Sequence, residues 1–162
     1  MEIGVLYGPG ICSMAVGAKL GGKGKVIALD HVNRDEILNS DDFFTRHNFL
    51  RYGPGQLFQL FYNAFLLDVA DHIILITEDS MIAHQWLDVP LRLLHVDANH
   101  DYKHVKNDIC FYGNMIIPGG YICCGNSLEN GCRHAVEEFV RDSGKYEDFH
   151  RPIDGFAVAR KI

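Results

Sequence analysis

The feature that most constrains this chain is an alternation between two kinds of segment. Short, nearly uninterrupted apolar runs alternate with stretches whose apolar residues recur at helical spacing. The runs are Lys25-Val26-Ile27-Ala28-Leu29-Asp30, Ile73-Ile74-Leu75-Ile76, Leu91-Arg92-Leu93-Leu94-His95-Val96-Asp97 and Tyr121-Ile122-Cys123-Cys124. Strands this apolar on both sides belong in a mostly parallel sheet covered on both faces by helices. Helices are expected after Gly8-Pro9-Gly10, with Ile11, Met14, Ala15 and Ala18 on one face and a stop at Gly21-Gly22. Others are expected over 57–67 and 80–86, and through Tyr102, Val105, Ile109, Tyr112 and Ile116 up to a break at Pro118-Gly119-Gly120. A last one carries Ala135, Val136, Phe139 and Val140. Two closing runs, around Tyr146 to Phe149 and Phe156 to Ala159, are joined by Arg151-Pro152-Ile153-Asp154-Gly155 and read as an antiparallel hairpin. Residues 31–55 read as a loop with one short helix, and Asp41 to His47 as a lid.

Composition narrows the function classes. The chain has 162 residues, 48% apolar, which suits one globular domain able to bury a core without disulfides or metal. Fifteen basic residues against 21 acidic ones give a net charge of −6, with no basic block, so a nucleic-acid backbone is not the expected partner. The first residues carry no basic stretch, and no apolar run approaches 18 residues. Neither a signal peptide nor a membrane span is expected. The five cysteines offer no C-x-x-C spacing and read as reduced thiols of a cytoplasmic protein, with Cys123 and Cys124 as small residues of a buried strand. Phe58, Phe61, Tyr62 and Phe65 read as core or as a contact in a homo-oligomer.

In a parallel α/β sheet the ligand lies beyond the carboxyl ends of the strands, and Asp30, Asp79 and Asp97 all fall at or just after such ends. They are expected to line one crevice. The segment Glu2-Ile3-Gly4-Val5-Leu6-Tyr7-Gly8-Pro9-Gly10 places glycines at a strand-to-helix turn, where backbone and free N–H groups can approach a ligand. Asp30 follows 20 residues after Gly10 at a strand end, suited to accept from both hydroxyls of a ribose. The glycine run partly matches a dinucleotide fingerprint, which keeps a nicotinamide-dependent oxidoreductase open, but Ser13 stands where the third glycine belongs and no Walker lysine is present. The acid-x-Gly-x-x-x-Gly spacing from Glu2 fits S-adenosylmethionine better.

Glu2-Ile3-Gly4 with Gly8, strand-end Asp30, Glu78-Asp79-Ser80 and, above all, Leu94-His95-Val96-Asp97-Ala98-Asn99-His100-Asp101-Tyr102 resemble the class I S-adenosylmethionine-dependent methyltransferases. The branch is that of macrocin O-methyltransferase and the cephalosporin-hydroxylase-like proteins. Val105-Lys106-Asn107-Asp108, Pro118-Gly119-Gly120 and Ala135-Val136-Glu137-Glu138-Phe139 extend the likeness over nearly the whole chain. The resemblance implies a three-layer Rossmann-like sandwich with a C-terminal antiparallel hairpin, and methyl transfer to a hydroxyl of a sugar or other small acceptor. Gly4, Tyr7 and Gly8 would line the methionine end of the cofactor, Asp30 would hold its ribose, and Asp79 with Ser80 would lie by its adenine. Asp97 would sit beside the transferring methyl group.

His100 is the expected base, since imidazole titrates near neutral pH and lies three residues beyond Asp97. The alternative for His100 is a surface residue capping the helix near Tyr102. Metal-dependent members pair the fourth-strand Asp with two carboxylates after strand five. Here Gly125-Asn126 stands in that place, which leaves Asp97 and Asn126 as weak ligands and disfavours magnesium. This departure also motivates a catalytically silent cofactor-binding or assembly protein. The first strand would begin at Met1, so a single domain over 1–162, short at its N-terminus, is expected.

Overall fold

The computed structural model describes residues 1–31 and 56–162, the side chain of Gln56 excepted. The elements in order are β1 (Glu2–Ile3), α1 (Pro9–Leu20), β2 (Val26–Leu29), α2 (Gln56–Leu66), a 3₁₀ turn (Ala70–His72), β3 (Ile73–Ile76), α3 (Ser80–Ala83), β4 (Leu91–Val96) and α4 (Tyr102–Tyr112). A second 3₁₀ turn (Gly113–Met115), β5 (Ile116–Cys124), α5 (Asn130–Val136), a π-helical turn (Glu137–Arg141), β6 (Tyr146–Ile153) and β7 (Phe156–Lys161) complete them. The expected loop over 32–55, its lid and Gly53-Pro54-Gly55 lie outside the described residues. The described chain forms two compact units, Val5–Glu78 and Met1–Gly4 with Asp79–Ile162.

In the smaller unit, β2 and β3 pair in parallel from Val26↔Ile73 to Leu29↔Ile76. Pro9 opens α1, where its fixed φ suits the first turn and its missing N–H leaves no helical bond unmade. Ile11, Cys12 and Ala15 face a core with Val5, Val26, Ala28, Leu60, Ala64 and Val69. The aromatic residues of α2 do not join it. Phe58 and Phe65 are each 73% exposed, and the buried face is Leu60 and Ala64. Placing those aromatics in the core is therefore wrong, because the 60/64 stripe, one turn apart, already fills it.

The larger unit carries five strands in the order β1-β4-β5-β7-β6. β1 and β4 are parallel, with Glu2 opposite His95 and Ile3 opposite Val96. β4 and β5 are also parallel, whereas β7 runs antiparallel to both β5 and β6. The parallel strands followed by a C-terminal antiparallel pair match the expected class. The hairpin connector is shorter than expected, only Asp154-Gly155, with Gly155 at φ 78°.

One boundary differs more. The helix expected to reach Ile116 ends at Tyr112, and Pro118-Gly119-Gly120 lies inside β5 as a bulge rather than before it. The pairing steps from Leu91↔Ile116 to Leu93↔Tyr121, so four residues of β5, 117–120, oppose the single Arg92 of β4. Gly119 supplies φ 76°, and Gly120 lets the bulge close, since a Cβ there would stand 2.7 Å from Ile116 Cγ2 and 3.0 Å from Arg92 O. The apolar period through Ile116 was thus helix followed by strand in the same phase.

The two glycines should separate in mutation. Gly120→Ala meets packed atoms and should lower unfolding free energy by about 2 kcal/mol. Gly119→Ala meets only open space and pays backbone strain of about 1 kcal/mol. Urea unfolding of both variants checks the ranking, and equal losses would contradict the bulge geometry.

Candidate functional site

In the smaller unit the turn after β1 is tied down by Asp30. Its Oδ2 accepts from the backbone N–H of Val5 at 2.9 Å and of Leu6 at 3.2 Å. Leu6 sits at φ 47° and Gly8 at φ 88°, and the carbonyl of Tyr7 accepts from Asn63 Nδ2 at 3.1 Å. A Cβ on Gly8 would approach Leu60 Cγ to 3.0 Å, so that glycine serves packing as well as the turn. Tyr7, Gly8 and Asp30 are thus brought together, and Asp30 has a loop-fastening role that its spacing did not reveal.

In the larger unit, the carboxyl ends of β1, β4 and β5 gather Gly4, Asp97, His100 and Asn126. Gly4, at φ 80°, lies against the chain after β4, since a Cβ there would fall 2.5 Å from Ala98 Cα and 2.6 Å from Asp97 O. Asp97 N–H donates to Ile3 O, and its carboxylate rests over Gly125, whose added Cβ would stand 2.0 Å from Oδ1. Burial pushes the Asp97 carboxyl up, against the pull of His95 and His100, while Glu129 pushes it further. Among the described residues, no lysine or arginine figures in those influences.

His100 does not cap the following helix. Asp101 does, accepting from His104 N–H at 3.0 Å. The His100 ring instead has Asn126 Nδ2 at 2.9 Å and Glu129 Oε2 at 3.3 Å from Nδ1. Asn126 takes a positive φ of 48° there and also donates to Glu129 Oε1.

Asp79 and Ser80 form a separate cluster. Asp79 caps the short α3 through Met81 N–H, at 2.7 Å. Ser80 O accepts from the Tyr112 hydroxyl at 2.7 Å, and the Ser80 side chain hydrogen-bonds to Asp108. Asp108 is 1% exposed, its Oδ1 has no partner, and burial raises its carboxyl to about 6.

Sequence reasoning gave no role to His95. It faces Glu2 across the strand pair, Nδ1 to Oε1 at 2.8 Å, with Glu2 only 2% exposed and its carboxyl raised by burial. The available signal was the i, i+2 pair of polar residues, His95 and Asp97, at the end of an otherwise apolar strand. Glu2, His95 and Asp97 each bring one ligand-type atom within 4.8 Å of the others.

These donors do not fit magnesium. Glu2 Oε1 is engaged by an imidazole, Gly125 contributes no side chain, and Asn126 directs its amide nitrogen to His100 and Glu129. A hard cation that prefers several oxygens gains little from Asp97 and one amide.

A family model described as a methyltransferase domain matches residues 1–127. No curated protein matches. Solved structures share the fold at low identity. The O-methyltransferase NovP superposes with TM-score 0.72 at 14% identity, over 99% of this chain and 70% of that one. The O-methyltransferase TomG from Streptomyces achromogenes, in complex with SAM, gives 0.66 at 13%, over 99% and 71%. An O-methyltransferase from Bacillus cereus, in complex with SAH, gives 0.64 at 15%, over 99% and 72%. The expected Rossmann-like α/β class is thereby shown.

Asp108 provides a pH signature. The folded state holds this carboxyl proton to higher pH than the unfolded chain, so stability is full below the ordinary aspartate value of 3.8 and is lost as pH rises through about 6. Asp108→Asn cannot ionise and lacks that loss. Between about pH 4 and about pH 7.5 its stability relative to the unmodified chain should improve by up to about 3 kcal/mol. A constant difference across that range, measured by urea unfolding, would contradict the assignment.

Proposed function

The chain belongs to the methyltransferase-domain family, and from that premise we propose that it transfers a methyl group from S-adenosylmethionine to a hydroxyl of a small molecule, a sugar or other metabolite. The observation carrying this reading is the Asp97 carboxylate at the end of β4. It stands among Glu2, His95, His100 and Glu129, and the two histidines are what counter burial in favour of its charged form. Such a donor set suits a cationic ligand and disfavours an anionic one. When bound, the cofactor supplies an electrophilic methyl group on a cationic sulfur.

The residues divide the work. Asp30 is assigned to the ribose hydroxyls while its Oδ2 keeps the Val5-Leu6 turn in its left-handed bend. Gly4, Tyr7 and Gly8 are assigned to the methionine end and Asp79 with Ser80 to the adenine. Asp97 supplies the negative charge for the sulfonium. His100 takes the acceptor's proton, with Asn126 orienting the ring and Glu129 giving the proton-loaded ring a counter-charge. Most of the acceleration in such a reaction comes from alignment of acceptor oxygen, methyl carbon and sulfur, which needs no metal.

The second reading, a cofactor-binding protein without turnover, draws on Gly125, which leaves Asp97 without the neighbouring carboxylates of metal-dependent members. Two variants test the proposal. Asp30→Asn keeps an acceptor for Val5 and Leu6 but loses the charge, and should weaken S-adenosylhomocysteine binding about tenfold by calorimetry (about 1.4 kcal/mol). His100→Ala should leave that affinity within about twofold and lower turnover on any accepted hydroxyl substrate about 100-fold or more. Unchanged affinity in Asp30→Asn would remove the ribose assignment. Retained binding with no transfer across hydroxyl acceptors would favour the silent reading.

A further inference from the structure

Two polar atoms between the ends of β1 and β4 are sealed from solvent without a hydrogen-bond partner, Glu2 Oε2 and His95 Nε2. The strand register accounts for their meeting. Glu2 lies directly opposite His95, and His95 and Asp97, two residues apart on one strand, project to the same face. The hydrogen bond between His95 Nδ1 and Glu2 Oε1 fixes the rotation of the ring, and the Phe156 ring, tilted at 5.4 Å, packs against it. With the ring so held, Nε2 faces Asp97, 3.9 Å from Oδ2.

That separation is longer than a hydrogen bond, and rotation of the carboxylate toward an Nε2 that carries a proton closes it. A buried ring nitrogen without a partner is unfavourable, so closing the contact is favoured once the neighbourhood loses water. Gly125 gives the carboxylate its other seat, because the space over its Cα is filled by Asp97 Oδ1 rather than by a side chain.

We propose that His95, clamped by Glu2, is a positioning residue that sets the Asp97 carboxylate toward the cationic sulfonium of the cofactor. The proposal rests on the methyl-transfer reading above and adds to it the device that aims the charge. Burial alone works against the charged form of Asp97, and His95 is the first of the groups that counter it. Glu2 therefore acts at one remove, through the imidazole, and Asp97 is the group that meets the ligand.

The test compares a charged with a neutral ligand, which a merely structural role would not distinguish. S-adenosylmethionine and S-adenosylhomocysteine, which differ at the sulfonium, are titrated calorimetrically into the full chain and into His95→Asn, His95→Gln and Asp97→Asn. Asn keeps a donor for Glu2 but cannot reach Asp97, whereas Gln places an amide nitrogen near the position of Nε2. His95→Asn should weaken S-adenosylmethionine roughly tenfold and S-adenosylhomocysteine by less than about twofold. His95→Gln should recover most of the loss. Asp97→Asn should show the same ligand-selective loss, and the double variant His95→Asn/Asp97→Asn should lose no more than Asp97→Asn alone.

Equal weakening of both ligands in His95→Asn, or none, would overturn the proposal while leaving the methyl-transfer reading in place. Should His95→Asn fail to fold, the ligand selectivity of Asp97→Asn and His95→Gln decides in the same way. If the unmodified chain bound neither ligand, the reading beneath the proposal would fall, and the proposal with it.

Discussion

A carboxylate buried to 2% exposure needs a partner, and for Glu2 that partner is the imidazole of His95. This contact ties the short strand β1 to β4 in a single register, since a shift of one residue would turn Glu2 to the opposite face. Everything at the strand ends of the larger unit follows from that register. Ile3 O receives Asp97 N–H, Gly4 lies against Ala98, and Asp97 is delivered over Gly125. Burying such a pair is not a cheap source of stability, and removing one member alone leaves an uncompensated charge, typically costing about 3–5 kcal/mol. A chain that keeps the pair at the end of its central strands gains definition of position there.

Two other polar groups, half-buried Asp30 and buried Asp108, repeat the pattern of a polar side chain organising a turn. Asp30 gathers the N–H groups of Val5 and Leu6, and Asp108 with Tyr112 holds Ser80 at the start of α3. Asp30, assigned to ligand binding from its spacing, and Ser80, assigned from the resemblance, are thus both joined to the scaffold as well. Ligand-binding loops need support of this kind, because a site held loosely would pay for its own ordering on binding.

Much of the fold was legible because the parallel strands are marked by apolar runs such as Ile73 to Ile76 and Leu91 to Val96, although Ile74 is exposed. The boundaries of β3 agree residue by residue. Position 116 was less legible: Ile116 continues the helical period of Tyr112, and only the unwinding at Gly113 shows that the strand has begun. The exposed Phe58 and Phe65 misled for a related reason, since apolarity alone does not tell which side of a helix faces inward. In the site, Asp97 and His100 could be found from the Asp-x-x-His run. His95 could not, because its role depends on Glu2, 93 residues away in sequence, and on strand register that no local pattern states.

The central claim is that these strand ends hold S-adenosylmethionine, and ligand-induced stabilisation tests it most directly. A ligand that binds the folded chain raises its unfolding temperature by mass action. Thermal unfolding of the full chain should shift upward with S-adenosylhomocysteine and not with NAD or magnesium. A shift with NAD and none with S-adenosylhomocysteine would contradict the account.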